Sequence, residues 1–596
     1  GCHARRRVRD RELLRDVQVP PRRHLVHQRL HQHLVPARRR LGPAAPRRGA
    51  PRRPRRRHDR GRCLHPRGRG VHRGVHRGAG PAGQLSVPHA RDPRRLRSPG
   101  RRPAGGTPRR GDPPARHARE GAAGADRGVG QPRGRGAGRG GRPMIAAGTV
   151  PTGPRVVTSR FDVADGHTYE GYVRTGGYAA LQRAVTSMTP TQVHDEVKAA
   201  ELQGRGGAGF PAGAKWGFLP ADVHPRYLVI NGDESEPGTY KDRLLMERDP
   251  HQLIEGIVLA CYALGAAQAF LYVRGEMALA QERLAAALND AYAHGKVGRR
   301  ICGTDFSVDV TLTWGAGAYI VGEETALIES LEGERGMPRL KPPYFPAVKG
   351  LYMQPTIVNN VETLSNLPYI VGQGGATFKA HGAATSSGMR MFAVSGHVER
   401  PGVFEVPNGT TTFRMLFEAP EYCGGVRAGG RVKAFIPGGA SAMWFFEEHL
   451  DTPLDKPTVD KAGSMLGSGA IVVMDQTTDM VAACWRIVRF FARESCGKCT
   501  PCREGTNWLE KILKRMLDGH GRPEDIDLLF DVSESISPGI AWPPRQTTIC
   551  PLGPSAVSPI ASAVRRFRPE FEHYVAHGRP VDGVVSPFAR ALAGTR

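Results

Sequence analysis

The first 143 residues contain no lysine, isoleucine, methionine, phenylalanine, tyrosine, asparagine or tryptophan. High charge without aromatic side chains cannot offset the entropy of ordering a chain, which excludes a packed domain there and predicts disorder. The stretch carries 40 arginines against 8 acidic residues, a net of +32, while the whole 596-residue chain carries +29, so residues 144–596 carry −3. Strong positive charge ordinarily points to nucleic acid, but the charge is confined to one end. An arginine-rich nucleic-acid-binding arm does not explain the missing lysines. The residue types with A/T-rich codons are all absent, as translation of GC-rich DNA in the wrong frame would produce. Residues 1–143 are therefore read as an out-of-frame or disordered extension, with a native start expected near Met144, the first methionine.

Long apolar runs are also missing. No stretch reaches 18 apolar residues and no signal peptide is legible, so a cytoplasmic body that meets a membrane only through a partner is expected. Of the ten cysteines, Cys2, Cys63, Cys261, Cys302, Cys423 and Cys484 stand singly, without the spacing of a disulfide scaffold. Cys261 and Cys484 fall on apolar helical faces and read as core residues.

The remaining four cysteines are patterned. Cys496, Cys499 and Cys502 form C-x2-C-x2-C within Glu494-Ser-Cys-Gly-Lys-Cys-Thr-Pro-Cys-Arg-Glu-Gly505, and Cys550 lies in Thr548-Ile-Cys-Pro-Leu-Gly553. Short spacings aim three sulfurs into one volume and a distant residue supplies the fourth, which reads as the ligand set of one iron-sulfur cubane. Zinc is the rival, although its structural sites more often use two separated C-x2-C pairs.

Between Tyr227 and Leu331 strand and helix patterns alternate. Strands are predicted at Tyr227–Asn231, Ala269–Val273 and Phe306–Leu312, with helices at Leu253–Leu264, Met277–Tyr292 and Gly322–Leu331. This βαβαβα run implies a parallel sheet with ligands at the carboxyl ends of its strands. Short strands at Met391–Val394, Val432–Ile436 and Ala470–Met474 predict a small β-rich domain, and the chain turns helical after Thr478.

Three motifs accompany that framework. Gly204-Arg-Gly-Gly-Ala-Gly-Phe-Pro-Ala-Gly-Ala-Lys-Trp-Gly-Phe218 holds G-x-G-x-x-G, but ahead of the first strand rather than after one. Its bare amides could approach phosphate, Lys215 adds a cation, and Phe210 and Phe218 offer rings for stacking. Asn231-Gly-Asp-Glu-Ser-Glu-Pro-Gly238 gathers Asp233, Glu234 and Glu236 directly off a strand, suiting a metal, a solvated turn, or a heterocycle with N–H donors. Gly315-Ala-Gly-Ala-Tyr-Ile-Val-Gly-Glu-Glu-Thr325 sets a glycine loop before a helix whose terminal amides could meet a phosphate, with Glu323 and Glu324 beside it.

Together with Lys341-Pro-Pro and Asn359-Asn-Val-Glu-Thr363, these motifs resemble, in order from Val163 to Tyr574, the NADH-binding flavoprotein subunits of bacterial respiratory complex I. The resemblance implies NADH dehydrogenase activity with hydride transfer from NADH to FMN, then single-electron transfer to a 4Fe-4S cluster and onward to quinone. It implies a Rossmann-like α/β domain over 213–380 preceded by a glycine-loop segment (144–212). A β-grasp, ubiquitin-like domain (381–476) and a cluster-bearing helical bundle (477–596) then follow. It places FMN against Gly204, Arg205, Gly206, Gly207, Gly209, Lys215, Asn231, Asp233, Glu234, Gly322, Asn359, Asn360 and Thr363. NADH is framed by Phe210, Phe218, Glu236 and Glu324, and Tyr319, Glu323 and Lys341 are further cofactor-binding residues. Glu236 and Glu324 orient the reactants, and Glu324 repels a 2′-phosphate. The sequence reads Lys341-Pro-Pro-Tyr-Phe-Pro346 where relatives have Lys-Pro-Pro-Phe-Pro, so either Tyr344 or Phe345 takes the adenine. Implied partners are the other peripheral-arm subunits, above all a 2Fe-2S thioredoxin-like subunit and a multi-cluster iron-sulfur subunit, at the inner face of the cell membrane. The same module serves NAD-linked hydrogenases and formate dehydrogenases, the alternative reading. Cys550-Pro-Leu-Gly-Pro554 departs from the usual Cys-Ala-Leu-Gly-Asp but retains the ligand.

Overall fold

A computed structural model describes residues 155–587. The extension read into residues 1–143, and Met144 with it, lies outside the described residues. Among the described residues no helix is long and apolar enough to cross a membrane.

The first sheet has four parallel strands in the order β3-β2-β1-β4: β1 Tyr227–Gly232, β2 Gln268–Val273, β3 Asp309–Trp314 and β4 Thr356–Asn360. Leu228, Val229 and Ile230 are fully buried, as an unbroken apolar run demands in a sheet covered on both faces. The Pro250–Leu264 helix, buried along nearly its whole length, packs on that sheet and on the Pro190–Ala199 helix. N-terminal residues such as Val193 and Val197 therefore share one core with the sheet. β4 is an addition to the expected strands. Its last residue, Asn360, also caps the helix that follows, its side chain accepting from the Thr363 amide at 3.3 Å. β3 begins at Asp309, three residues later than the period-two pattern suggests, because Phe306 precedes the first register pair with β2 and packs on Tyr262 instead.

The chain runs outward from β1 through β2 to β3 and then returns to the far side of β1 as β4. This reversal leaves a crevice beyond the carboxyl ends of β1 and β4, where open α/β sheets bind ligands. Asn231, Asp233 and Asn360 stand at that crevice.

A second, mixed sheet follows, ordered β6-β5-β8-β7: β5 Met389–Gly396, β6 Gly402–Pro407, β7 Val432–Ile436 and β8 Ala470–Asp475. β5 and β8 are parallel and both outer pairs antiparallel. The Met480–Glu494 and Thr500–Leu517 helices pack face to face through Val481, Val488, Leu509 and Leu513, joined by Asp525–Ile536, Leu552–Pro559 and Arg568–His577. Asp479 caps the first of these, accepting from the Ala482 amide at 3.0 Å.

Candidate active site

A cavity of about 470 Å³ opens at the crevice. Twelve of the expected residues line it: Arg205, Gly206, Gly207, Asn231, Asp233, Glu234, Glu236, Tyr319, Gly322, Glu323, Asn360 and Cys550. A Cβ at position 206 would sit 3.1 Å from that of Asn360, and Gly207 has φ +140°, so the loop comes this close to β4 only as glycine. The Arg205 amide donates to the Thr363 hydroxyl at 2.8 Å and its buried guanidinium to the Met389 carbonyl at 2.8 Å, fixing the loop from behind.

The acids differ in what they offer. Asp233 accepts from Ser235 Oγ through Oδ2 at 2.7 Å, while the buried Oδ1 has no partner. Burial pushes its carboxyl up to about 6. Glu234 is committed: its two oxygens accept from the amides of Asp242 and Arg243 at 2.8 and 2.9 Å, and burial together with Asp242 pushes it up to about 7. Glu236 accepts from the Tyr319 phenol at 2.7 Å and from the Ser441 amide and hydroxyl, both at 2.6 Å.

The helix at Glu324–Leu331 corrects one expectation. Its first free amides, Thr325 and Ala326, already donate to Glu323 at 2.9 and 3.0 Å, so they are not available to a phosphate. Four charges gather there instead. Lys215 contacts Glu324 at 3.0 Å, and Lys341 contacts Glu323 and Glu324 at 2.8 and 3.0 Å. Although burial raises Glu324, Lys215 and Lys341 hold it down at about 2.

The other expected residues lie off the cavity lining. Phe210 and Phe218 are exposed and face each other at 5.7 Å between ring centroids. Phe345 is exposed and Tyr344 half-buried. Asn359 accepts from the Trp216 indole at 2.9 Å, and Gly204 and Gly209 shape the loop. Contributors that the motifs do not include are Ser441, Met443, Met465 and Ser468 from the second-sheet region, and Trp542 and Pro544 from the approach to Cys550.

Cys496, Cys499, Cys502 and Cys550 line a second, smaller cavity with Ile320, Pro338 and Leu552. Cys496 and Cys499 lie on the connection between two helices, as expected, but Cys502 sits inside the first turn of Thr500–Leu517. Burial pushes Cys502 up to about 11 and Cys550 up to about 12, so their thiolates require a strong electrophile nearby. Four thiols around a shared space suit a polynuclear group. Ile320, Cys550 and Leu552 line both cavities and form the wall between them.

The F subunit of the NADH-quinone oxidoreductase of Mycobacterium tuberculosis (strain ATCC 25618 / H37Rv) is 50% identical over 426 residues, 71% of this chain and 91% of that protein. The chain belongs to the family of NADH-quinone oxidoreductase F subunits. The family member of Streptomyces coelicolor (strain ATCC BAA-471 / A3(2) / M145) is 47% identical over 429 residues, 72% of this chain and 92% of its own. Residues 197–369 match the Nuo51 FMN-binding domain, and residues 482–574 match the NADH-ubiquinone oxidoreductase-F iron-sulfur binding region. An NAD+-reducing NiFe hydrogenase in the H2-reduced state shares the fold with TM-score 0.61 and 35% identity, over 72% of this chain and 70% of that one. The residues present fit a flavin: Asp233 Oδ1 is a buried acceptor without a donor, and Gly206 and Gly207 keep open a cradle that a side chain would close.

Proposed function

We propose that the larger cavity holds FMN with NADH over it, that the four cysteines hold the 4Fe-4S cluster, and that the wall between them is the electron exit. The chain is the NADH-oxidising subunit of an NADH-quinone oxidoreductase, with FMN and a 4Fe-4S cluster as its redox groups. The observation that carries the assignment of sites is the shared wall of Ile320, Cys550 and Leu552. When bound, the flavin accepts a hydride and yields single electrons, which the cluster takes one at a time.

The chain's own residues bind and orient. Asp233 Oδ1 accepts from a ring N–H, Asn231 is held by its 2.8 Å bond to the Gly322 carbonyl, and the Gly206–Gly207 amides approach the phosphate. Tyr319 and Ser441 hold Glu236 in one orientation toward the nicotinamide nucleotide, so it positions the substrate instead of exchanging protons. Ile320 and Leu552 keep water out of the wall. Glu324 and its lysines meet the adenosine ribose, and Phe345 or Tyr344 covers the adenine.

The mixed β5–β8 sheet is read as a β-grasp domain, and the helices after Asp479 as the cluster-bearing bundle, within the boundaries 213–380, 381–476 and 477–596. Partners are other complex I subunits, specifically a 2Fe-2S thioredoxin-like subunit and a multi-cluster iron-sulfur subunit, and the chain is peripheral at the inner membrane face. A diaphorase role in an NAD-linked hydrogenase is the second reading, favoured by the 35% identical hydrogenase neighbour, against 50% identity to the quinone-reductase relative. Purification of the chain from its own cells tests this: co-purifying iron-sulfur and quinone-reducing subunits support complex I, and nickel with hydrogen uptake supports the other.

A further inference from the structure

No motif singled out in the sequence falls in the segment between Asp525–Ile536 and Thr548, yet it reaches the main cavity. Trp542 and Pro544 line that cavity together with Pro551 and Pro554, next to Cys550. The segment is a closed lasso. At its neck Ser537 Oγ donates to the Arg545 carbonyl at 2.6 Å, and the Thr547 hydroxyl donates to the Ser535 carbonyl at 2.9 Å. The Gly539 amide donates to Glu534 at 2.9 Å, and Ile540 is buried in the bundle core. With neck and flank both anchored, the tip Ala541-Trp-Pro-Pro544 has little freedom, and two prolines restrict it further. The half-buried Trp542 ring is thereby presented to the cavity at low entropic cost.

The position of this wall decides what it meets. The redox-active end of any bound nucleotide must lie near the Ile320–Cys550–Leu552 wall, because electrons leave there. The exposed aromatics Phe210, Phe218 and Phe345 lie off the cavity lining, which leaves Tyr319 and Trp542 as the aromatic residues that line it. An indole followed by two prolines offers a flat apolar surface that favours an offset-stacked heterocycle.

We propose that Trp542 is a positioning and specificity residue that packs against the nicotinamide half of the dinucleotide, and that the lasso exists to hold it there. The proposal rests on the assignment of the larger cavity to FMN and NADH.

The test is calorimetric titration of the FMN-loaded full chain with NAD+ and with ADP-ribose, which lacks the nicotinamide, for wild type, Trp542→Ala and Trp542→Phe. The expected result is a roughly fivefold weaker Kd for NAD+ in the alanine variant, the size of one aromatic stack, with near-wild-type affinity in the phenylalanine variant. ADP-ribose affinity and flavin content stay unchanged. Equal loss for both ligands, or none for NAD+, overturns the proposal. So does loss of flavin from Trp542→Ala, which would place the ring on FMN. A wild-type chain that retains FMN but binds no NAD+ contradicts the site assignment itself, a failure distinct from a variant effect.

Discussion

Lys215 Nζ lies 3.0 Å from the Glu324 carboxylate, whose other oxygen is 3.0 Å from Lys341 Nζ. The acid expected to repel a 2′-phosphate is therefore already neutralised by two lysines, which would themselves attract that phosphate if freed. In the proposed site, discrimination against NADPH would depend on Glu324 and Glu323 keeping both lysines occupied. Glu324→Gln should raise kcat/KM for NADPH about tenfold or more while lowering that for NADH only a few fold, measured by steady-state dye reduction. An unchanged ratio would place the ribose elsewhere.

The same cluster has a pH signature. Glu324 ionises at about 2 in the folded chain against an ordinary 4.5, so it binds fewer protons folded than unfolded in that interval. Its stabilising contribution is complete above about pH 4.5 and is lost as pH falls toward 2. Denaturant titrations between pH 3 and 6 should show a smaller acid-side loss of stability in Glu324→Gln than in wild type.

Asp233 has the opposite sign. Burial raises it from 3.8 to about 6, so the folded chain holds its proton longer and stability declines as pH rises through that interval. Asp233→Asn should stabilise the flavin-free chain by about 1–3 kcal/mol at pH 7.5, with no gain below pH 4. It should also weaken FMN binding, since an amide no longer offers a charged acceptor to the ring N–H. Chemical denaturation and flavin fluorescence titration read the two effects separately.

At the other end of the described chain, Glu405 on β6 accepts from the amides of Val156, Val157 and Thr158, each at 3.0 Å, and from the Thr158 hydroxyl at 2.7 Å. All four donors are buried, so removing the carboxylate would strand them away from water. Glu405→Ala should cost about 2–4 kcal/mol and expose the segment around residue 156 to limited proteolysis. Unaltered protease resistance would show that the latch does not hold it.

Legibility follows the range of the interactions involved. β1, β2 and β7 are readable because apolar runs with turn residues at their ends are local signals, and the four cysteines stand out because short spacing brings three of them together. β4 escapes a sequence reading because Thr356–Asn360 ends in two asparagines that read as the cap of the next helix, and that signal masks the strand. Glu323 reads as a neighbour of free helix amides when it is their cap, a distinction set by one side-chain rotamer. Ser441, Ser468 and Trp542 reach the cavity from regions 200 or more residues beyond Asp233, and no local pattern encodes that approach.

The cysteine assignment makes its own demand. Cys550→Ala should remove the reduced-cluster EPR signal and slow transfer to downstream acceptors, while NADH oxidation by artificial dyes persists through the intact flavin cavity. A full cluster signal in the variant would show that Cys550 is not the fourth ligand.

The most direct test of the central claim is a paired absorption and EPR spectrum of the purified chain, recorded anaerobically before and after addition of NADH. Bleaching of the flavin bands together with the appearance of a reduced 4Fe-4S signal is the predicted result, because Cys550 stands in the wall that both sites share. Flavin bleaching with an intact but persistently oxidised cluster would contradict it.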